Sequence, residues 1–398
     1  CAVTIAVHAG SYYINSVTGS NGAGTVASPW NSLSSLSSLV LKPGDTLYFA
    51  RGSSFTGGFT VNQSGTAQQP IVVTAYGTGA MPGFTNNTST LNGNCIQVRG
   101  SYVHVNGLYF HTGPHCWQHS WQIVHSLGAV FVAPGADRCV IKNCEITDYP
   151  VGIQVKGQHC LITRNYIHDC NRTMCPTDWG PIGIMIGNAY NEASWNRIIN
   201  YIWFGGAFGA DGGAFEIDDA FAGREIRNVS IHHNYSYGNC GFLEVDNNGS
   251  ITDSINVFYN YSNDYQQFLL NWSGTNSLVA NNTVIRTLRV SPTSEELCIL
   301  VPDSKYRMVN NIFVVSNWVA SISTVTPQFR SNNLFYSADG KDISRLIWPF
   351  GPSEQIADPR FVAFDPRDPE KMDCRPTSAS PAIGKGMPLG FTVDLNEN

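Results

Sequence analysis

The feature that most constrains this chain is a short recurring segment with asparagine held at one phase. Its form is apolar-x-x-polar-Asn-x-apolar: CLITRNYI (160–167), EASWNRII (192–199), SIHHNYSY (230–237), NVFYNYSN (256–263), LVANNTVI (278–285), RMVNNIFV (307–314) and FRSNNLFY (329–336). The equivalent asparagines are Asn165, Asn196, Asn234, Asn260, Asn282, Asn311 and Asn333, separated by 31, 38, 26, 22, 29 and 22 residues. CVIKNCEI (139–146) fits one step earlier, with Cys144 in the asparagine slot 21 residues before Asn165. A minimum spacing of 21–22 with irregular lengthening suits a coil of three short strands joined by turns of variable length. One such coil cannot bury its own apolar face, so coils must stack on a continuous core. Stacked asparagines pass amide hydrogen bonds from coil to coil, which accounts for their fixed phase. An Asn-rich β-sandwich needs no such phase. The expectation is an all-β, right-handed parallel β-helix with three strands per coil. It forms one domain, with an N-terminal cap and first coils over 1–100, central coils over 101–340 and a closing segment over 341–398.

Composition narrows the function. Hydrophobic residues make up 42% of the 398, too many for a disordered chain. No apolar stretch reaches the roughly 20 residues of a membrane span. The net charge is −6 with no basic run, which argues against a nucleic-acid partner. Eleven cysteines and ten N-x-[S/T] sequons, at Asn62, Asn86, Asn87, Asn171, Asn228, Asn234, Asn248, Asn260, Asn271 and Asn281, favour an oxidising, extracellular setting and a glycoprotein. The chain is expected to begin after removal of a signal peptide; a lipoprotein starting at Cys1 is the alternative. Cys139 and Cys160 share a phase on adjacent coils, about 4.8 Å apart, and are expected to form a disulfide. Cys170 and Cys175 are expected to close the loop CNRTMC.

The segment YYINSVTGSNGAGTVASPWNSLSSL…LKPGDTLYFARG (12–52), then PIVVTAYGTGAMP (70–82), resembles the opening of secreted pectate-lyase-like β-helix proteins. NNLFYS (332–337), IADPRFV (356–362) and SPAIGKG (380–386) resemble their closing segment. The resemblance implies a secreted carbohydrate-active protein, with a short capping helix near residues 30–41. It does not choose the reaction, since one fold hosts many.

The coil phase places candidate chemistry on one sheet. GAFEID (213–218) matches GFLEVD (241–246) position by position, and PIGIMIG (181–187) aligns with GIQVK (152–156). Ile153, Val155, Ile184, Ile186, Phe215, Ile217, Leu243 and Val245 then point inward, and alternation turns Glu216, Asp218, Glu244 and Asp246 to solvent. Four carboxylates at such spacing repel, so function explains them better than stability does. A proton shared within a pair gives the general acid and ionised partner that glycosidases need, about 5 Å apart for retention or about 6.5–9.5 Å for inversion. A bound Ca²⁺ is the other way to offset the charge. Trp203, Phe204 and Phe208 in the insertion before Glu216, and Trp272 one coil beyond Asp246, offer flat faces for sugar rings. Asp211 and Asp219 flank the patch as candidate substrate-binding residues.

The first expectation is a glycoside hydrolase with catalytic residues Glu216, Asp218, Glu244 and Asp246, Glu244 as general acid and Asp218 as nucleophile or base. The pairing on adjacent coils is similar to that of several β-helix glycosidase families. Asp218–Asp219 resembles the polygalacturonase Asp pair, but no Gly-His-Gly or Arg-Ile-Lys follows. The second is a calcium-dependent lyase or epimerase acting on uronates. Glu216-x-Asp218 resembles the Glu-x-Glu calcium motif of the chondroitinase B and alginate lyase group. That group places a lysine base and an arginine on following coils. Here the residue 28 positions after Glu216 is Glu244, and no lysine lies between Lys156 and Lys305. Arg224, Arg227, Arg286 and Arg289 remain as substitute bases. The third is a noncatalytic glycan-binding β-helix. The expected partner is a polysaccharide or oligosaccharide bound by a monomer, with no nucleic acid, no membrane, no required cofactor and Ca²⁺ as the candidate ion. His232–His233 is read as structural. His104, His111, His115, His119 and His125, with Cys116, match no standard zinc spacing.

Overall fold

The computed structural model describes residues 9–87, 93–113, 127–172, 179–206, 209–218, 224–245, 251–271, 274–301, 305–316, 318–346, 351, 353–366, 368, 371–391 and 393. The backbone divides into two compact units, Cys1–Tyr166 and Ile167–Asn398. Each is a stack of coils contributing one strand apiece to three parallel sheets, the architecture of a right-handed parallel β-helix.

In the first unit one sheet runs through Ser11–Ile14, Thr46–Ala50, Ile71–Tyr76, Val103–Asn106, Val140–Lys142 and Leu161–Thr163. A second takes Phe59–Val61, Ile96–Val98, Val130–Val132 and Val151–Val155, and a third Ser54–Thr56, Gly83–Thr85, Tyr109–His111 and Glu145–Thr147. Parallel strands in register bring like residues together: Phe55, Phe84 and Phe110 lie at one phase of three coils, with centroids 5.1 and 5.7 Å apart. Such a ring column adds packing at fixed geometry to the area it buries.

In place of the expected capping helix there is a single 3-10 turn, Leu33–Leu36. The serines explain the difference. Ser34 N donates to Ser32 Oγ at 3.2 Å, and Ser37 Oγ donates to Ser34 O at 2.7 Å, so side chains compete with the helical ladder. Of the apolar residues in this stretch Leu36 and Leu41 are buried, while Val40 is 69% exposed.

The second unit carries the sheet Glu192–Ser194, Glu225–His232, Ile251–Phe258, Ser277–Ala280, Tyr306–Val309 and Phe329–Ser331. Its second sheet is Ile182–Ile186, Gly213–Ile217, Gly241–Val245, Leu269–Asn271, Glu296–Leu300 and Val319–Ser323. The third holds Arg197–Tyr201, Tyr235–Tyr237, Tyr261–Asn263, Thr283–Arg286, Ile312–Val315 and Leu334–Ser337. The repeated asparagine makes the corner between the first and third sheets. Asn196 N donates to Asn234 Oδ1 at 2.9 Å, and the same bond continues from Asn234 to Asn260, Asn260 to Asn282, Asn282 to Asn311 and Asn311 to Asn333 at 2.9–3.0 Å. Asn333 Nδ2 ends the ladder on Glu354 Oε1 at 2.7 Å, and Arg330 pairs with the other oxygen at 2.7 Å. The residue before each ladder position is left-handed: Trp195, His233, Tyr259, Asn281, Asn310 and Asn332 have φ between 53° and 60°. The ladder bonds hold that strained turn in place.

All eight residues expected to point inward are buried, none more than 2% exposed. The expected Cys139–Cys160 disulfide is corrected: both are free, buried thiols that donate to the same acceptor, Ala136 O, at 3.6 Å. Shared phase brought them together without bonding them. Cys170 is also free, and Cys175 lies outside the described residues. Sequons at Asn234 and Asn260 belong to the buried ladder and cannot carry glycans, whereas Asn62, Asn87, Asn171 and Asn228 are exposed.

Candidate active site

Strand Gly213–Ile217 pairs with Gly241–Val245 in the register the sequence implies, Phe215 beside Leu243, Glu216 beside Glu244 and Ile217 beside Val245. Glu216 and Glu244 therefore stand next to each other on adjacent coils, backbones about 4.8 Å apart, both partly exposed. Met185, 1% exposed, is the register neighbour of Glu216 on one side, and Leu270 that of Glu244 on the other. An apolar frame lowers the local dielectric and strengthens whatever passes between the two carboxyls.

Asp218 departs from expectation. Alternation turns it toward solvent, yet it is only 2% exposed, its N–H donating to Ile186 O at 3.2 Å. Asp246, Asp219, Trp272 and Phe208 lie outside the described residues.

The insertion before Glu216 folds as a hairpin, Trp203–Gly206 antiparallel to Gly209–Asp211, with Trp203 opposite Asp211. Asp211 spends both oxygens on backbone: Oδ2 accepts from Gly180 N at 2.9 Å and Oδ1 from Gly212 N at 2.8 Å. It thus fixes the base of the hairpin. Trp203 is half-buried, while Phe204 is 55% exposed and meets the ring of Tyr265 edge-on at 5.6 Å.

The sequence reading missed a buried polar corner leading into this sheet. Asp264 is fully buried and accepts from Asn239 N at 3.0 Å, Ser236 Oγ at 2.7 Å and Ser262 Oγ at 2.6 Å. Arg286, also fully buried, donates to Ile285 O at 2.7 Å and Ser262 Oγ at 3.0 Å. Burial pushes the Asp264 carboxyl up, against the opposing pull of Arg286. Burial likewise raises Glu296, which is 8% exposed. The Cys240 thiol, just before Gly241, is raised first by burial and then by the charges of Asp211, Glu296, Glu244 and Asp264, so these acids converge around it. The overlooked signal was a second polar phase: Asp264 follows Asn239 by 25 residues, as Asn282 follows Asn260 by 22.

Among the described residues no three His, Cys, Asp or Glu side chains come together to hold a metal ion. Calcium takes six to eight oxygens, and among the described residues Glu216 and Glu244 are the adjacent, partly exposed carboxylates that would contribute to such a shell. His104 and His111 are on different strands, and the remaining histidines of that cluster lie outside the described residues. No helix among the described residues is long and apolar enough to cross a membrane.

No curated protein matches the sequence. Among solved structures, the fold is similar to the pectate lyase Pel9A, with a TM-score of 0.64 at 14% identity over 96% of this chain and 93% of that one. It is similar to a rhamnogalacturonan lyase, with a TM-score of 0.62 at 13% identity over 95% of each chain. It is also similar to a GH136 lacto-N-biosidase from Eubacterium ramulus, with a TM-score of 0.50 at 15% identity over 87% of this chain and 67% of that one. At these identities the likeness shows the fold. The family comes from the sequence itself, which matches the Chondroitinase B family over residues 32–317, well over half of its length. The chain belongs to the chondroitinase B family, and with it to the carbohydrate-active parallel β-helices.

Proposed function

We propose that this protein is a secreted glycoside hydrolase, cleaving a polysaccharide or oligosaccharide at the Glu216–Glu244 pair. The observation that carries the reading is the register of Glu216 beside Glu244, both partly exposed between Met185 and Leu270. A spacing of about 5 Å suits a retaining mechanism. Glu244 acts as general acid, protonating the leaving oxygen, and Glu216 as nucleophile on the anomeric carbon. Water then releases the sugar, with Glu244 taking the proton back. Asp218, at 2% exposure, is hidden from a substrate, so the nucleophile passes to Glu216.

The family match favours a second reading, β-elimination at a uronate. Against it stands Glu244 where the resemblance calls for a basic side chain, and the lack of any lysine between Lys156 and Lys305. One experiment separates the two. The purified protein is incubated with a panel of neutral and uronate glycans, and products are read for reducing ends and for near-ultraviolet absorbance. New reducing ends without absorbance support hydrolysis, and unsaturated ends establish elimination instead. Neither signal across the panel would leave only glycan binding.

A further inference from the structure

Where the third sheet of the second unit turns into the second, two rings stand that the proposed chemistry does not use. Phe204 is 55% exposed, and Tyr265, two coils further on, meets it edge-on, with centroids 5.6 Å apart and planes at 90°. Each ring rests on a fixed base. Alternation along Trp203–Gly206 turns Trp203 and Phe204 to opposite faces of the hairpin. Trp203 takes the covered face: its Nε1 is buried, and a Cβ on Gly205 would lie 3.1 Å from its Cζ2, so a side chain there would crowd the ring. Asp211 clamps the foot of the hairpin to Gly180 N and Gly212 N. Phe204 is left facing out. Tyr265 follows Asp264, whose three hydrogen bonds fix the buried corner, and its own N–H donates to Asn239 O at 3.1 Å. Among the described residues no hydrogen bond engages the Tyr265 hydroxyl, which is open to a ligand.

This corner is continuous with the carboxyl pair. The hairpin runs through Gly212 into Gly213–Ile217, which carries Glu216, and Asn239 and Cys240 run into Gly241–Val245, which carries Glu244. Asn239, the hydrogen-bonded neighbour of Tyr265, precedes Glu244 by five residues, at most about 18 Å of extended chain. One sugar ring at the pair does not span that distance, whereas a chain of several does. Charge selects the kind of chain. None of the residues 203–211, 238–240 and 264–268 is basic. Arg289, on the following connection, is engaged with Ser294 O at 2.8 Å and lies over the Trp318 ring. A polyanion would find no cation along this path and would meet Glu216 and Glu244 at its end. An uncharged chain meets only flat rings and a hydroxyl, which suit the apolar faces and the hydroxyls of sugars.

We propose that Phe204 and Tyr265 form a remote subsite that grips an uncharged glycan several sugars away from the bond being cleaved, so that the protein takes long neutral chains in preference to short ones. The proposal rests on the reading of Glu216 and Glu244 as the reacting pair. Phe204 supplies the face on which a ring stacks, and the Tyr265 hydroxyl bonds to the sugar. The hairpin foot at Asp211 and the corner at Asp264 hold the two rings in place before the glycan arrives, so little ordering is left for binding to supply.

The test is binding without turnover, read on the full chain carrying Glu244→Gln by affinity electrophoresis. The gels contain neutral xylan, galactan, mannan or β-glucan, or the uronates polygalacturonate or alginate. Size-sorted fragments of the retarding polymer then compete, which gives affinity against chain length. A neutral polymer should retard the protein, and long fragments should compete better than short ones. Adding Phe204→Ala or Tyr265→Ala should weaken binding of the long fragments roughly twofold to tenfold, the worth of one aromatic contact, and flatten the gain with length. Phe329→Ala removes a ring that is 42% exposed on the first sheet and should bind as the parent does. Retardation by uronates alone, a length gain that survives both alanine variants, or no retardation by any of the polymers overturns the subsite. Should Tyr265→Ala fail to fold, Phe204→Ala decides, since an exposed ring leaves no cavity behind. Absence of products from the wild type, with the length gain lost in the variants, counts against the reacting pair and not against the subsite.

Discussion

Removing one rung of the asparagine ladder should cost more than its surface area suggests. Asn282 is 1% exposed and makes four side-chain bonds. Its Oδ1 accepts from Asn260 N at 2.9 Å and Asn260 Nδ2 at 3.1 Å, and its Nδ2 donates to Val257 O and Asn311 Oδ1, both at 2.9 Å. Asn282→Ala does not strand every partner. Asn260 Nδ2 keeps Ile231 O at 2.9 Å, and Asn311 Oδ1 keeps Asn282 N at 3.0 Å. The buried Asn260 N–H, however, loses its acceptor. One stranded donor costs about 1–3 kcal/mol and each of the three further lost bonds about 1 kcal/mol, so the expected loss is about 4–6 kcal/mol. The assay is equilibrium urea denaturation followed by circular dichroism, with Asn276→Ala as control. Asn276 donates to Asp253 Oδ1 from an exposed position in left-handed backbone, and its replacement should cost about 1–2 kcal/mol, well below the ladder variant. Asn282→Asp keeps the acceptor but turns an oxygen toward Val257 O and Asn311 Oδ1, and should be worse than alanine. A loss below about 1 kcal/mol for Asn282→Ala, or an aspartate variant as stable as wild type, would refute the claim that the ladder holds the corner.

Glu244→Gln and Glu216→Gln should each lower kcat by about 10²–10⁴ with little change in melting temperature, measured on whichever glycan the product screen identifies. Chelation by EDTA should leave activity unchanged, and loss restored by added Ca²⁺ would move the reading toward the lyase. Cys95 and Cys298 are each pushed up to about 12 and Cys144 to about 11, chiefly by burial, so these thiols should resist iodoacetamide at neutral pH until the protein unfolds. Glu192 is depressed, chiefly by the hydrogen bond from His232, so the stability it adds is present above its unfolded value and is lost as pH falls through its folded value. Acid denaturation of Glu192→Gln should therefore show a shallower slope below about pH 4 than wild type.

The sequence alone determined the coil. A ladder asparagine pays off only if the next coil repeats it at the same phase, so the pattern at Asn196, Asn234, Asn260, Asn282, Asn311 and Asn333 survives as a one-dimensional signal. Strand alternation likewise carried the inward residues and the Glu216–Glu244 register, because both depend on near neighbours. Three things were decided only in three dimensions. Asp218 is covered although alternation faces it outward, since burial depends on what else packs there. Cys139 and Cys160 share a phase yet stay thiols, since phase sets proximity and not bonding. His232 and His233 meet Glu192 and Val393, the latter 160 residues beyond His233, only once the chain has folded. Period and alternation are local and can be read along the chain, whereas burial and the meeting of charges are sums over distant segments and appear only when the chain is folded.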